Sequence, residues 1–179
     1  YEFDRNVIAV CPYLPVNIKH HISAPFFSRS FSPYFSARWR EKDKTIREII
    51  YNKTDLLNSL KNPFFYYRVI SESYDSRFLL HLLLNKVFAG DYLHLIYNCV
   101  YDSVCIFPHR NLVENIGHDG SGEHSGKSNY FSNNPVFVVS SFDYPESNKN
   151  NYLKGLTRVG FLKSLMHYPF DIIIYFSMF

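Results

Sequence analysis

Apolar positions recur along this chain with two periods, and each predicts a different element. Val7-Ile8-Ala9-Val10 is a short apolar run ended by Pro12 and Pro15, which predicts a buried strand leading into a loop. From there to Tyr34 the pattern is irregular. Residues 40–50 read as a helix, and Thr54 or Asp55 is placed to cap a short helix reaching Leu60. Between Asp75 and Ala89, Phe78, Leu79, Leu82, Leu83 and Val87 fall at helical spacing, with Gly90 as a C-terminal stop. Asp91 then opens another helix, lined on one side by Tyr92, Leu95, Ile96, Cys99 and Val100 and packed on the first. Ser103 to Phe107 is a strand closed by Pro108 and delivering the chain into a loop at 109–126.

Beyond the loop, Pro135 to Val139 predicts one more strand, followed by a polar stretch from Tyr144 to Asn151. Residues 152–166 set Leu153, Leu156, Val159, Leu162 and Leu165 against Lys154, Arg158 and Lys163, the pattern of an amphipathic helix. The tail from Phe170 to Phe179 is nearly all apolar. These last elements read as a helix and strand covering the core, with a basic amphipathic contact to an anionic membrane surface as the alternative.

A length of 179 residues with 46% hydrophobic residues suits one domain with a real core. The 17 Phe and 15 Tyr point either to a rigid interior or to a surface that stacks on flat ligands. A formal charge of +3 without a run of Lys and Arg argues against a nucleic-acid partner. The densest basic stretch, Arg38 to Lys44, alternates in sign and reads as a solvated helix face. Three cysteines, Cys11, Cys99 and Cys105, show no CxxC spacing; buried free thiols and a reducing, cytoplasmic setting follow. Asn52-Lys53-Thr54 matches a glycosylation sequon but carries little weight alone. No apolar run reaches the roughly 18 residues of a membrane span.

The chemistry concentrates in Asn115 to Gly126, NIGHDGSGEHSG, which holds four of the chain's 7 glycines, Gly117, Gly120, Gly122 and Gly126. A backbone free to adopt positive φ there carries His118, Asp119, Glu123 and His124. Gly126-Lys127-Ser128 imitates the end of a phosphate-binding P-loop, but the leading glycine position is Ser121, and Pro135 arrives too soon for the required helix. His109, His118 and His124, with Asp119, match no compact zinc template, and no G-x-S-x-G elbow occurs. What remains is recognition of a phosphorylated or sugar ligand by backbone N–H groups, assisted by His124. Asp91 has two compatible readings, a helix N-cap and a general base facing a cleft.

The run from Leu112 to His124 resembles the C-terminal signature of bacterial hemolytic-protein-like sugar transferases of surface-polysaccharide clusters, and is more remotely similar to eukaryotic N-acetylglucosaminyltransferase I. Tyr1 to Asp4 with Val7 to Val10, the aromatic segment Phe31 to Trp39, where Ala37 and Trp39 match, then Asp91, Cys99 and Cys105 to Pro108 follow in the family's order. The resemblance spans residues 1–130, leaving 131–179 as a C-terminal strand and amphipathic helix extension. It implies an α/β fold of GT-A type, a mixed sheet with flanking helices, of which this chain is the acceptor-side portion. It implies transfer of a sugar from a nucleotide sugar to a glycan acceptor at the inner face of the plasma membrane, with Asp91 as the base. Trp39, Asn115, Gly117, Asp119, Gly120, Gly122 and His124 would then contact donor or acceptor.

One departure accompanies the resemblance. The family holds a divalent cation, Mn or Mg, and the nucleotide diphosphate on an upstream acidic cluster, and no D-x-D or E-D-D occurs in this sequence. The cation is therefore expected of the intact enzyme rather than of this chain, which opens on Tyr1 and calls for an upstream nucleotide-binding half to be active. The alternatives are a non-catalytic glycan- or phosphate-binding module and a degenerate remnant.

Overall fold

The computed structural model describes residues 4, 6–14, 24–72, 79, 82 and 89–113. Strands β1 (Val7–Val10), β2 (Phe26–Ser28), β3 (Ala37–Arg38) and β4 (Val104–Phe107) form one mixed sheet in the order β2-β4-β1-β3. The two central strands, β1 and β4, run parallel, and each outer strand is antiparallel to its neighbour. Helices α1 (Arg40–Tyr51), α2 (Thr54–Ser59), α3 (Pro63–Glu72) and α4 (Gly90–Val100) complete an α/β fold.

Strand alternation divides the sheet into two faces. Ala9 pairs with Cys105, and Val10 and Phe27 both pair with Ile106, so Ala9, Cys105 and Phe107 point one way and Val10, Ile106 and Phe27 the other. The first set joins the large core cluster with Ile46 and Ile50 of α1, Leu56 of α2, Val69 and Ile70 of α3, and Leu93 and Ile96 of α4. The second set forms a smaller cluster of Val7, Phe27 and Ile106, with Val10, Trp39 and Val104 against it. Helix α4 touches α1, α2 and α3 and is the hub of the helical layer. Its residues Tyr92 to Cys99 are all buried, as expected of a helix enclosed by neighbours on every side.

Several sequence expectations need correction. The irregular stretch before Tyr34 contains β2, three residues recruited by pairing with β4 rather than by any pattern of their own. Residues 63–72, given no element by the sequence pattern, form α3. Asn62 Oδ1 accepts the N–H groups of Phe64 and Phe65 at 3.0 and 3.2 Å, and Pro63 opens the helix with the φ that its first position wants. Helix α2 has Lys53 at its N-cap, and neither Thr54 nor Asp55 caps it by a side chain, because both lie already inside the helix. Arg38 to Lys44 is less solvated than its alternating charges imply. Arg38 and Arg47 each approach Asp43 at 2.7 Å, and the Lys42 ammonium holds the carbonyls of Asp4 and Val7 at 2.6 and 2.9 Å while lying 4.7 Å from the centre of the Trp39 ring.

A second polar tie joins β2 to the helices. Arg29 reaches Glu72 at 3.2 Å and Asp102 at 2.5 Å, and Arg68 meets the same Asp102 oxygen at 2.8 Å. Glu72 is only 1% exposed, and its pairing with Arg29 offsets part of the cost of burying the charge. Leu79 and Leu82 are helical and buried, as the stripe from Asp75 to Ala89 predicts; the rest of residues 73–88 lies outside the described residues. The predicted strand at 135–139, the helix at 152–166, the apolar tail and the whole 131–179 unit lie outside them too. No helix among the described residues is long and apolar enough to cross a membrane.

Candidate functional site

The N-terminal part of α4 carries an acid and a histidine, Asp91 and His94. Ala89, in extended conformation (φ −133°, ψ 103°), is the N-cap, and its carbonyl accepts the Leu93 N–H at 3.0 Å. Gly90, expected to stop the preceding helix, is instead the first residue of this one. Asp91 is accordingly not the N-cap; it sits one residue into the helix, where its Oδ1 accepts the neighbouring Tyr92 N–H at 3.0 Å. The unsatisfied N–H groups of a helix start favour an anion at this place.

Burial nevertheless dominates the electrostatics of Asp91. Desolvation holds its carboxyl above the ordinary carboxylate value, against the pull of the backbone N–H groups of Tyr92 and of Asp91 itself. No cation pairs with it among the described residues. Among the described residues, a methyl group added at Gly90 would meet no atom within 4 Å. A half-buried carboxylate, unpaired and with raised proton affinity, is what a general base requires.

One turn further, on the same face, lies His94, which the sequence reading passed over. Its Nδ1 lies 2.6 Å from the Gly90 carbonyl, and since a carbonyl only accepts, Nδ1 carries the proton. The ring stacks on Phe31 at 4.0 Å between centroids and 10° between planes. Nε2 is then a bare acceptor, buried and without a hydrogen-bond partner among the described residues. Burial lowers the His94 pKa first and foremost; the Gly90 bond raises it, Arg38 and Arg47 lower it and Asp43 raises it. Arg38 also lies 5.8 Å over the Phe31 ring, so β3 and the start of α1 border the same turn. The spacing Asp91-x-x-His94 was legible as two polar residues on one helix face, but nothing in the sequence marks which histidine nitrogen would be left bare.

The remaining site residues divide plainly. Trp39 is half-buried against the smaller cluster, on the face of the sheet away from α4, so the structure does not bring it together with Asp91. Asn115, Gly117, Asp119, Gly120, Gly122 and His124 all lie outside the described residues. Of the histidines weighed for zinc, His109 is half-buried after β4, while His118 and His124 lie outside. Among the described residues no group of three or more His, Cys, Asp or Glu side chains could hold a metal; the divalent cation that the resemblance implies is expected of the intact enzyme rather than of this chain. Cys11, Cys99 and Cys105 are free and buried; burial, then the negative charge of Glu72, pushes the Cys99 thiol up to about 12, which rules it out as a nucleophile at neutral pH.

Comparison with known proteins finds no protein family, no curated protein and no solved structure that matches the chain.

Proposed function

We propose that the chain is the acceptor-side part of a GT-A-type glycosyltransferase that moves a sugar from a nucleotide-sugar donor to an acceptor hydroxyl in surface polysaccharide synthesis. The observation that supports it is the state of Asp91, a carboxylate whose proton affinity is raised by burial and which has no cationic partner among the described residues. In this reading the acceptor O–H proton passes to the Asp91 carboxylate as the oxygen attacks the anomeric carbon and the nucleoside diphosphate leaves, inverting the centre. Donor or acceptor is then held by the loop residues Asn115, Gly117, Asp119, Gly120, Gly122 and His124; Trp39, on the other face of the sheet from α4, is not among them.

A second reading, a glycan-binding module without catalysis, draws on Phe35. This residue is 74% exposed and held at φ 56°, an unusual backbone for a bulky side chain and one that presents its ring to solvent. Mass-spectrometric detection of product, from a panel of nucleotide sugars and glycan acceptors supplied to the chain joined to its upstream coding sequence, tests the first reading. Saturable glycan binding without product from any donor decides for the second.

A further inference from the structure

The two central parallel strands end side by side, and the segments that leave them are tied together. Asn111 Oδ1 accepts the Leu14 N–H at 3.1 Å, and the Leu112 N–H donates to the Pro12 carbonyl at 3.1 Å. The first bond fixes the Asn111 amide, because only its oxygen can accept from an N–H. Its Nδ2 is therefore a two-proton donor, and it is buried, in a side chain 6% exposed, without a hydrogen-bond partner among the described residues. Two residues earlier His109 Nδ1 is also buried without a partner among the described residues. A buried N–H left unsatisfied costs about 1–3 kcal/mol, so the arrangement calls for an acceptor.

The surroundings define that acceptor. The crevice at the carboxyl ends of adjacent parallel strands is where open α/β sheets take their ligands. Residues 7–14 and 103–113 contain no Asp or Glu, while Arg110 adds a positive charge between His109 and Asn111. The Asn111 donor and the Arg110 charge, with no carboxylate in these two segments, suit an anion rich in acceptor oxygens.

We propose that Asn111 and His109 form a subsite for a phosphoryl group, with Asn111 Nδ2 donating to one of its oxygens. The proposal goes beyond the transferase reading, since it holds for any phosphorylated ligand. The test is side-chain amide NMR on the ¹⁵N-labelled full chain, titrated separately with inorganic phosphate, a nucleoside diphosphate and N-acetylglucosamine. The Asn111 amide resonances shift saturably with the phosphate probes and not with the uncharged sugar. The Asn98 amide, whose Nδ2 already donates to the Arg29 carbonyl at 2.7 Å, stays in place as the buried control. A response to the nucleoside diphosphate alone also supports the subsite and assigns it to the larger ligand.

Asn111→Asp keeps an acceptor for the Leu14 N–H but removes the donor, and weakens phosphate binding by about tenfold or more, the worth of one hydrogen bond to a charged group. Failure of the Asn111 resonances to move with either phosphate probe overturns the proposal, as does an equal response to the uncharged sugar. Neither outcome bears on Asp91 or on sugar transfer, which are read by product formation.

Discussion

Acidification isolates the energetic role of His94. Above about pH 6.5 the histidine is neutral in the unfolded chain, and in the folded chain burial keeps it neutral to lower pH still. As pH falls, the unfolded state takes up the proton first. The stability contribution of His94 is thus complete above the unfolded pKa and declines as pH drops below it, until the folded ring is protonated as well. The limiting slope is about 1.4 kcal/mol per pH unit. All 8 histidines contribute to a raw pH curve, so the informative quantity is a difference between two proteins. His94→Phe keeps the stack on Phe31, loses the bond to the Gly90 carbonyl and removes the bare Nε2. Losing that bond costs about 1 kcal/mol, offset in part by no longer burying an unsatisfied acceptor. Urea unfolding at pH 7.5, 6.5 and 5.5 should place the variant within about 1.5 kcal/mol of wild type at the highest pH. The variant should then gain on wild type by about 1 kcal/mol at the lowest. Parallel curves across this range would refute the neutral, Nδ1-protonated ring.

The other expectations follow from the same structure. Asp91→Asn keeps an acceptor for the Tyr92 N–H and removes a buried charge, so it should melt at or above the wild-type temperature at pH 7. Because the folded Asp91 pKa is raised, wild type should close on the variant as pH falls through that folded pKa toward the unfolded value, and equal pH dependence in calorimetry would count against a desolvated carboxylate. Arg29→Met leaves Glu72 short of its cation and should cost about 3 kcal/mol in urea unfolding, whereas Asp102→Ala, at the exposed end of the network, should cost less than about 1 kcal/mol. A thiol reagent at pH 8 should label Cys11, Cys99 and Cys105 only as fast as the chain unfolds, since all three are buried; rapid native labelling would contradict that burial.

How far the sequence could be read depended on where each element draws its stability. Strands β1 and β4 carry their own apolar runs and were legible; α4 was legible as a helix, but the stripe of Tyr92, Leu95, Ile96, Cys99 and Val100 was not its buried surface, since Tyr92 to Cys99 are all buried and Val100 is 36% exposed. Helix α3 was hidden because Phe64, Phe65, Tyr66 and Tyr67 are four consecutive aromatics that blur which face is buried: Phe64 is 88% exposed and Tyr66 is 3% exposed. Asn62-Pro63 was a usable start signal, a capping side chain followed by proline at the first helical position. β2 and β3 are three and two residues long and exist only through their neighbours. At the site, Asp91 was visible as an acid at a helix start, but whether it caps depends on the extended backbone of Ala89, which no residue type dictates. His94 and Asn111 matter through one unpartnered nitrogen each, a property of packing rather than of sequence.

The most direct test of the account is the rate of sugar transfer by the chain joined to its nucleotide-binding half, as wild type and as Asp91→Asn, measured by nucleoside diphosphate release and product formation with both substrates saturating. Loss of the base is predicted to lower kcat by about 10²-fold or more while the variant stays folded and its acceptor affinity is retained. Equal kcat in the two proteins would contradict the assignment of Asp91 as the base.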